Sequence, residues 1–234
     1  MDLTVIVPIY NEEKHLRDSV INLVSTNVAK KIILVDDCST DKSLMIAEKL
    51  CEQIENISLY KKDKNEGKGS CLNYVKDKIT TSHLIVHDAD LEQNPFDIIK
   101  MFELSKSNPN SLILGSRTTG KQKRNKMYKV LSLANYLLCK LFNILHKSNI
   151  SDISSGYLLY SLEFLQSIII NENGFGIEVE IISKFIKNNE NIIEVSIDYN
   201  GRTYTEGKKI KIYDGINILY KIFKYKFIWF AELD

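Results

Sequence analysis

"HLIVHDADLEQNP", residues 83–95, decides how the chain is read. An apolar run gives way to three carboxylates at alternate positions, Asp88, Asp90 and Glu92, and Pro95 closes the stretch. At strand spacing the three side chains share one face, where their repulsion is costly unless a cation or hydrogen-bond donors neutralise them. Oxygen-only ligands favour a hard ion, Mg2+ or Mn2+, which commonly keeps waters and completes its octahedron with substrate phosphates. The competing reading is a solvated acidic loop that caps the following helix at Asn94 or Pro95. The position directly behind a buried strand favours the metal.

Outward from this stretch, apolar runs alternate with amphipathic ones. "LTVIVPI" (3–9), "KKIILVDD" (30–37), "NISLYKK" (56–62) and "HLIVHDAD" (83–90) are separated by helical patterns over 12–25, 41–54 and 68–79. Such alternation predicts a largely parallel sheet covered by helices. A further run, "SLILGSR" (111–117), follows a helical stretch over 95–106. Ligands of open parallel sheets bind outside the carboxyl ends of the strands. The loops "PIYNEE", "VDDCSTD", "KNEGKG" and "HDADLEQNP" therefore converge on one edge.

At 234 residues, 44% hydrophobic and 26% charged, the chain reads as an ordinary globular α/β protein. We expect a catalytic domain over 1–212 and an amphipathic helix over 213–234. A net charge of +1 leaves no chain-wide footprint for nucleic acid. Four cysteines without paired spacing, and an N-terminus without signal-peptide features, point to the cytoplasm. No run approaches the roughly 20 apolar residues of a spanning helix.

Asp36 and Asp37 close the second strand, where a carboxylate is placed to accept hydrogen bonds from a ribose or base. Ser39, Thr40 or Asp41 also suits a helix cap there. "NEGKG" offers two glycines and Lys68 before a helix, but it matches neither the Walker pattern nor GxGxxG. After residue 120, "KQKRNKMYKVLSLANYLLCKLFNILHK" joins a basic segment to a long amphipathic one. "SDISSGYLLY", helical stretches near 162–170 and 177–188, and a strand-like "NIIEVSIDY" follow.

"VIVPIYNEE", "ILVDDCSTDKS", "NEGKGSCLN", "DADLEQNP", "GSR" and "DISSGY", in this order, resemble the family-2 glycosyltransferases of the GT-A fold. Among them the chain is similar to the dolichol-phosphate mannosyltransferase-like branch, over roughly residues 3–215. The resemblance implies a Rossmann-like, mainly parallel central sheet flanked by helices, with amphipathic helices after residue 125 and at the C-terminus. It also implies that Pro8, Tyr10, Glu12, Val35 and Asp37 hold the base and ribose of a nucleotide diphosphate sugar. Asp88 and Ala89 would contact the sugar nucleotide, and Asp90 and Glu92 would bind Mg2+ or Mn2+. The family usually carries glutamine where this chain has Glu92, so the site gains one negative charge.

Arg117, Arg202 and Lys208 are the implied catalytic cations beside Asp88 and Asp90. The branch shows an arginine, a glycine and a lysine at fixed distance. Arg202 and Lys208 keep that spacing while Gly207 is displaced, which leaves Lys209 as the alternative partner. Relatives that glycosylate a hydroxyl add a carboxylate base and a QxxRW-like motif, and neither is found here. A polyprenyl phosphate acceptor has a second pKa near about 6 and needs no general base. What it needs is cationic positioning, by Arg117, Arg202, Lys208 and the run Lys121, Lys123, Arg124 and Lys126. The expected reaction moves a hexose to that phosphate with inversion.

A lipid acceptor requires a visit to a membrane surface, direct or through a membrane-protein partner, which places the chain at the cytoplasmic face. Leu131, Leu133, Leu137, Leu138, Leu141, Phe142 and Leu145 form one apolar stripe. Tyr220, Phe223, Tyr225, Phe227, Trp229 and Phe230 alternate with Lys221, Lys224 and Lys226 in the other, as interfacial helices do. Two other readings compete. A hydroxyl-acceptor transferase that elongates a cell-envelope glycan would need Asp152, Glu178 or Glu180 as base, and a non-catalytic nucleotide-sugar-binding scaffold would need none.

Overall fold

The computed structural model describes residues 1–119, 124–125, 129–202 and 212–227. The order is β1 (Leu3–Ile9), α1 (Leu16–Ser25), β2 (Lys31–Asp36), α2 (Ser43–Gln53), β3 (Ile57–Lys61), α3 (Lys68–Val75), β4 (His83–Val86) and α4 (Asp97–Ser107). Then come β5 (Leu112–Ser116), β6 (Arg124–Asn125), α5 (Lys129–His146), β7 (Leu158–Ser161), α6 (Leu162–Ser167), α7 (Ile177–Lys187), β8 (Ile192–Ser196), β9 (Tyr199–Asn200) and α8 (Ile212–Phe227).

The strands sort their side chains by the period of two. In β1, Leu3, Val5, Val7 and Ile9 join one buried cluster and Ile6 the other. Ile32 and Leu34 of β2 follow the first set, and Ile33 and Val35 the second. Helices α1, α2 and α4 cover the first face through residues such as Leu16, Leu50 and Met101. Helices α3, α5, α6, α7 and α8 cover the second through residues such as Leu72, Phe142, Phe164, Phe185 and Ile222. The runs are apolar throughout because both faces of the sheet are buried.

Within the described residues the sheet has seven strands in the order β3-β2-β1-β4-β7-β5-β8. β1, β2, β3 and β4 pair in parallel, as the alternation predicts. The alternation does not predict β7. It runs antiparallel between β4 and β5, bonding Ile85 opposite Leu159 and Ile113 opposite Leu159. β5 and β8 return to parallel pairing. The strand order reverses direction at β1 and β4, so the loops behind these two strands part and leave a crevice.

α8 packs on α5 and α7, with Ile222 and Tyr225 inside the core. Lys221 and Lys224 pair with the buried Glu172. The C-terminal helix is thus part of the domain's packing in this structure. Among the described residues no helix is long and apolar enough to cross a membrane.

Candidate active site

β4 ends at Val86, so the three carboxylates of the opening stretch lie on a loop rather than on a pleated strand. A turn brings them together. Leu91 adopts φ 59°, a left-handed conformation that is uncommon outside glycine, and the Glu92 N–H folds back to donate to Asp90 Oδ1 at 3.1 Å. Beneath the loop, buried His87 is held by the Tyr157 hydroxyl at 2.6 Å and Ser19 at 3.2 Å. Burial lowers the His87 pKa to about 4, so a neutral ring supports the acidic turn.

Each carboxylate has different company. Asp88 pairs with Lys68 at 3.0 Å, and Lys68 also meets Glu178 at 3.3 Å. Burial opposes the Lys68 charge, yet Asp88 and Glu178 together raise its pKa. Gly156 lies against this group. A Cβ there would come 2.8 Å from Asp88 Oδ2, 2.9 Å from Lys68 Nζ and 3.0 Å from Gln93 Nε2. Asp90 is pushed up to about 7 by burial and by the charges of Asp88 and Glu92, which outweigh Arg202. Glu92 accepts from the Tyr199 hydroxyl and, at 2.7 Å, from the Arg202 backbone N–H.

Arg202 gathers the cluster. Its guanidinium reaches Asp90 at 3.0 Å, Glu92 at 3.4 Å and Glu12 at 3.4 Å. Glu12 comes from the loop behind β1, so the first and fourth loops meet on one cation, as the convergence rule requires. β9 is bound to the same turn, because the Asn200 N–H donates to the Glu92 carbonyl at 2.8 Å.

Arg117, behind β5, is held differently. Its Nε and Nη2 form a two-point pair with Asp152 at 2.7 Å each, and Nη2 also donates to Ser154 at 3.0 Å. The guanidinium lies over the Tyr199 ring, 5.1 Å from its centroid. Although burial penalises the charge, Asp152 raises the Arg117 pKa, and Arg117 holds Asp152 low against its own burial. Tyr199 therefore links the two arginines: its ring meets Arg117 and its hydroxyl bonds Glu92.

Several expected contacts are indirect here. The Val35 side chain is fully buried in the sheet and packs in the core cluster beneath α3. Asp37 is also buried, and its oxygens accept from Lys62 at 2.6 Å, Gly67 N at 2.6 Å and Glu66 N at 3.2 Å. It organises the third loop. That loop's glycines do not offer N–H groups to a phosphate as their composition suggests, because Gly69 N and Ser70 N donate to the Asn173 carbonyl. Lys68 alone carries the loop's charge to the cluster. Tyr10, just past the end of β1, is exposed, Pro8 pairs with Val35 in the sheet, and Ala89 is buried.

Lys208, Lys209, Lys121, Lys123, Lys126, Trp229 and Phe230 lie outside the described residues. Lys62, Gly156 and Tyr199 escaped the sequence reading as site residues. Tyr199 and Arg202 reach Glu92 across more than a hundred residues of chain, a contact that carries no local signal.

The donor set suits a hard divalent ion, since oxygen ligands and a deficit of positive charge meet at Asp90. Among the described residues no three acidic, imidazole or thiol groups surround one ion-sized point. Two carboxylates suffice for an ion that takes its remaining ligands from water and substrate phosphates.

An acidic turn flanked by two arginines, at the carboxyl edge of a mainly parallel sheet, is the arrangement of an α/β transferase of the GT-A fold. Residues 4–169 match the family model described as glycosyl transferase family 2, and the chain belongs to that family. The hexosyltransferase class expected from the sequence stands with it.

A dolichol-phosphate mannosyltransferase from Pyrococcus furiosus is 26% identical over the whole chain, which spans 66% of that protein. A dolichyl-phosphate beta-glucosyltransferase from Trichomonas vaginalis is 26% identical over 90% of the chain and 68% of its own length. Glucosyl-3-phosphoglycerate synthase from Mycobacterium tuberculosis, crystallised with Mn2+, UDP and phosphoglyceric acid, shares the fold at a TM-score of 0.73. It is 17% identical over 97% of this chain and 78% of that one.

Proposed function

We propose that the chain transfers a hexose from a nucleotide diphosphate sugar to a polyprenyl phosphate, with inversion and with Mg2+ or Mn2+ held by Asp90 and Glu92. The observation that carries this reading is the state of the carboxylates. Asp152 is fully buried and pinned by Arg117. Glu180 is fully buried and accepts from Lys184, Asn171 N and Glu172 N. Glu178 is tied to Lys68. These were the bases a hydroxyl acceptor would need, and each is committed to a cation. A phosphate acceptor, already dianionic near neutral pH, has no need of them. The names of the two sequence relatives, which act on dolichol phosphate, agree.

In this reading Glu12, Tyr10 and the third loop around Asp37 seat the nucleotide, and Asp88 with Lys68 orients the sugar. An oxygen of the acceptor phosphate attacks the anomeric carbon, and the bond to the diphosphate breaks with its electron pair leaving on the nucleotide. The divalent ion, when bound, acts as a Lewis acid on that leaving group. Arg117 is set in a fixed geometry to meet an anionic oxygen. Arg202, and Lys208 or Lys209, complete the positive side.

The membrane reading rests on α5 and α8. Leu133, Tyr136, Leu137 and Ile144 of α5 are exposed, as are Ile216, Tyr220, Phe223 and Phe227 of α8. The helices pack on each other, so these side chains are available for an interfacial surface at the cytoplasmic face of a membrane. The test is a panel of nucleotide sugars offered with undecaprenyl or dolichyl phosphate and Mn2+, scored for lipid-linked product. We expect product with one donor, and none from Asp90→Ala. Full activity of Asp90→Ala would refute the metal assignment.

A further inference from the structure

We infer that Arg202 is the resting cation of the acidic turn and exchanges with the divalent ion, so that metal entry releases its guanidinium toward the incoming diphosphate. The inference rests on the metal-dependent reading above and adds an order of events to it.

The guanidinium contacts Asp90 and Glu92, the two carboxylates assigned to the ion, and Glu12 as well. One positive charge cannot sit between these groups while a second ion takes the same oxygens, because like charges at contact repel strongly in a partly dry site. The geometry is that of a removable occupant. Its contacts with Glu12 and Glu92 are 3.4 Å long and single-point. By contrast, the main chain leading into Arg202 is anchored to the turn's own backbone, the Asn200 N–H donating to the Glu92 carbonyl at 2.8 Å. The side chain can therefore swing while the backbone stays.

Charge balance gives the exchange a direction. Lys68 is committed to Asp88 and Glu178, and among the described residues Arg202 is the cation in contact with both Asp90 and Glu92. One positive charge against the two carboxylates Asp90 and Glu92 leaves a deficit that a divalent ion removes and a guanidinium does not. Once displaced from the carboxylates, the guanidinium is set to meet diphosphate oxygens, which it recognises well. Metal and nucleotide are thereby coupled through one side chain, and such coupling is reciprocal.

The experiment measures Mn2+ binding to the nucleotide-free full-length chain, by electron paramagnetic resonance of free Mn2+, for wild type, Arg202→Gln and Arg202→Lys. Circular dichroism checks that each is folded. Removing a competitor that the ion must displace should tighten Mn2+ binding by about tenfold in Arg202→Gln. Arg202→Lys should fall between it and wild type. Equal or weaker Mn2+ binding by Arg202→Gln overturns the exchange while leaving the metal reading intact. No Mn2+ binding by any of the three, with or without UDP, overturns both. In the unmodified chain, Mg2+ should shift the arginine Nε–H NMR signal that is missing from Arg202→Lys. A signal unmoved at Mg2+ saturation contradicts the exchange even if the glutamine variant fails to fold.

Discussion

Two arginines serve one crevice in opposite ways. Arg117 is locked by a single carboxylate through two short bonds, with a hydroxyl and an aromatic ring completing its seat. Arg202 is spread over three carboxylates from two loops, none of which it meets in a two-point fork. The first arrangement is a fixed electrostatic feature, built before any ligand arrives. The second is a balance of single-point attractions, which in the proposed exchange another cation replaces. A rigid cation suits charge that develops at one place in a transition state. An exchangeable one would suit a site that receives a metal, as proposed here.

The contrast is broken most directly at the locked pair. Asp152→Ala leaves a buried guanidinium without its partner, which typically costs about 3–5 kcal/mol. We expect a large fall in the thermal unfolding midpoint together with loss of product. Arg202→Gln, by comparison, should move the unfolding midpoint little, and differential scanning calorimetry of the two variants tests the difference. Equal destabilisation would mean that both arginines are structural.

Gly156→Ala should be milder for folding but severe for turnover. The added methyl meets the movable ends of Asp88, Lys68 and Gln93 rather than backbone, so the chain yields and the acidic turn is displaced. We expect turnover to fall by at least about tenfold with the fold retained, given how sharply misplacement of reacting groups lowers rates. Steady-state kinetics beside a melting curve checks both halves.

Glu92→Gln sharpens the role of the charge that sets this chain apart from its resembled family. The amide can keep an oxygen toward the ion and a polar contact with Tyr199 while removing one negative charge. We expect Mn2+ to bind several-fold more weakly, since divalent affinity follows ligand charge. Unchanged affinity would assign Glu92 to Tyr199 and Arg202 alone.

The smallest expected effect is on pH stability. Burial lowers both His87 and His146 to about 4, against about 6.5 in an unfolded chain. Between those values the unfolded chain binds more protons, so stability falls as pH drops through that window. His146 bonds the Ile222 carbonyl through Nε2 and stacks on Phe142. His146→Gln should flatten the decline in urea titrations between pH 6.5 and pH 4.

The donor side of the crevice was legible in the sequence because its logic is local. An apolar run buried on both faces, a polar loop and an amphipathic helix repeat through β4, and each loop's position follows from strand direction. The other side depends on contacts that no short window contains. β7 spans four residues and owes its place to antiparallel neighbours far away in sequence. Asp152 has the chemistry of a base, yet the guanidinium that claims it lies thirty-five positions upstream. Alternation suggested a shared strand face for Asp88, Asp90 and Glu92, whereas a left-handed residue at Leu91 makes them meet in a turn. Asp37 had the right chemistry for a ribose, but Lys62 and two loop N–H groups claim its oxygens.

The central claim, a phosphate rather than a hydroxyl as acceptor, is tested most directly by a paired assay. The same radiolabelled nucleotide sugar and Mn2+ are offered with a polyprenyl phosphate and, separately, with the corresponding polyprenol. The account predicts lipid-linked label with the phosphate and none above background with the alcohol. Comparable transfer to the polyprenol would contradict it.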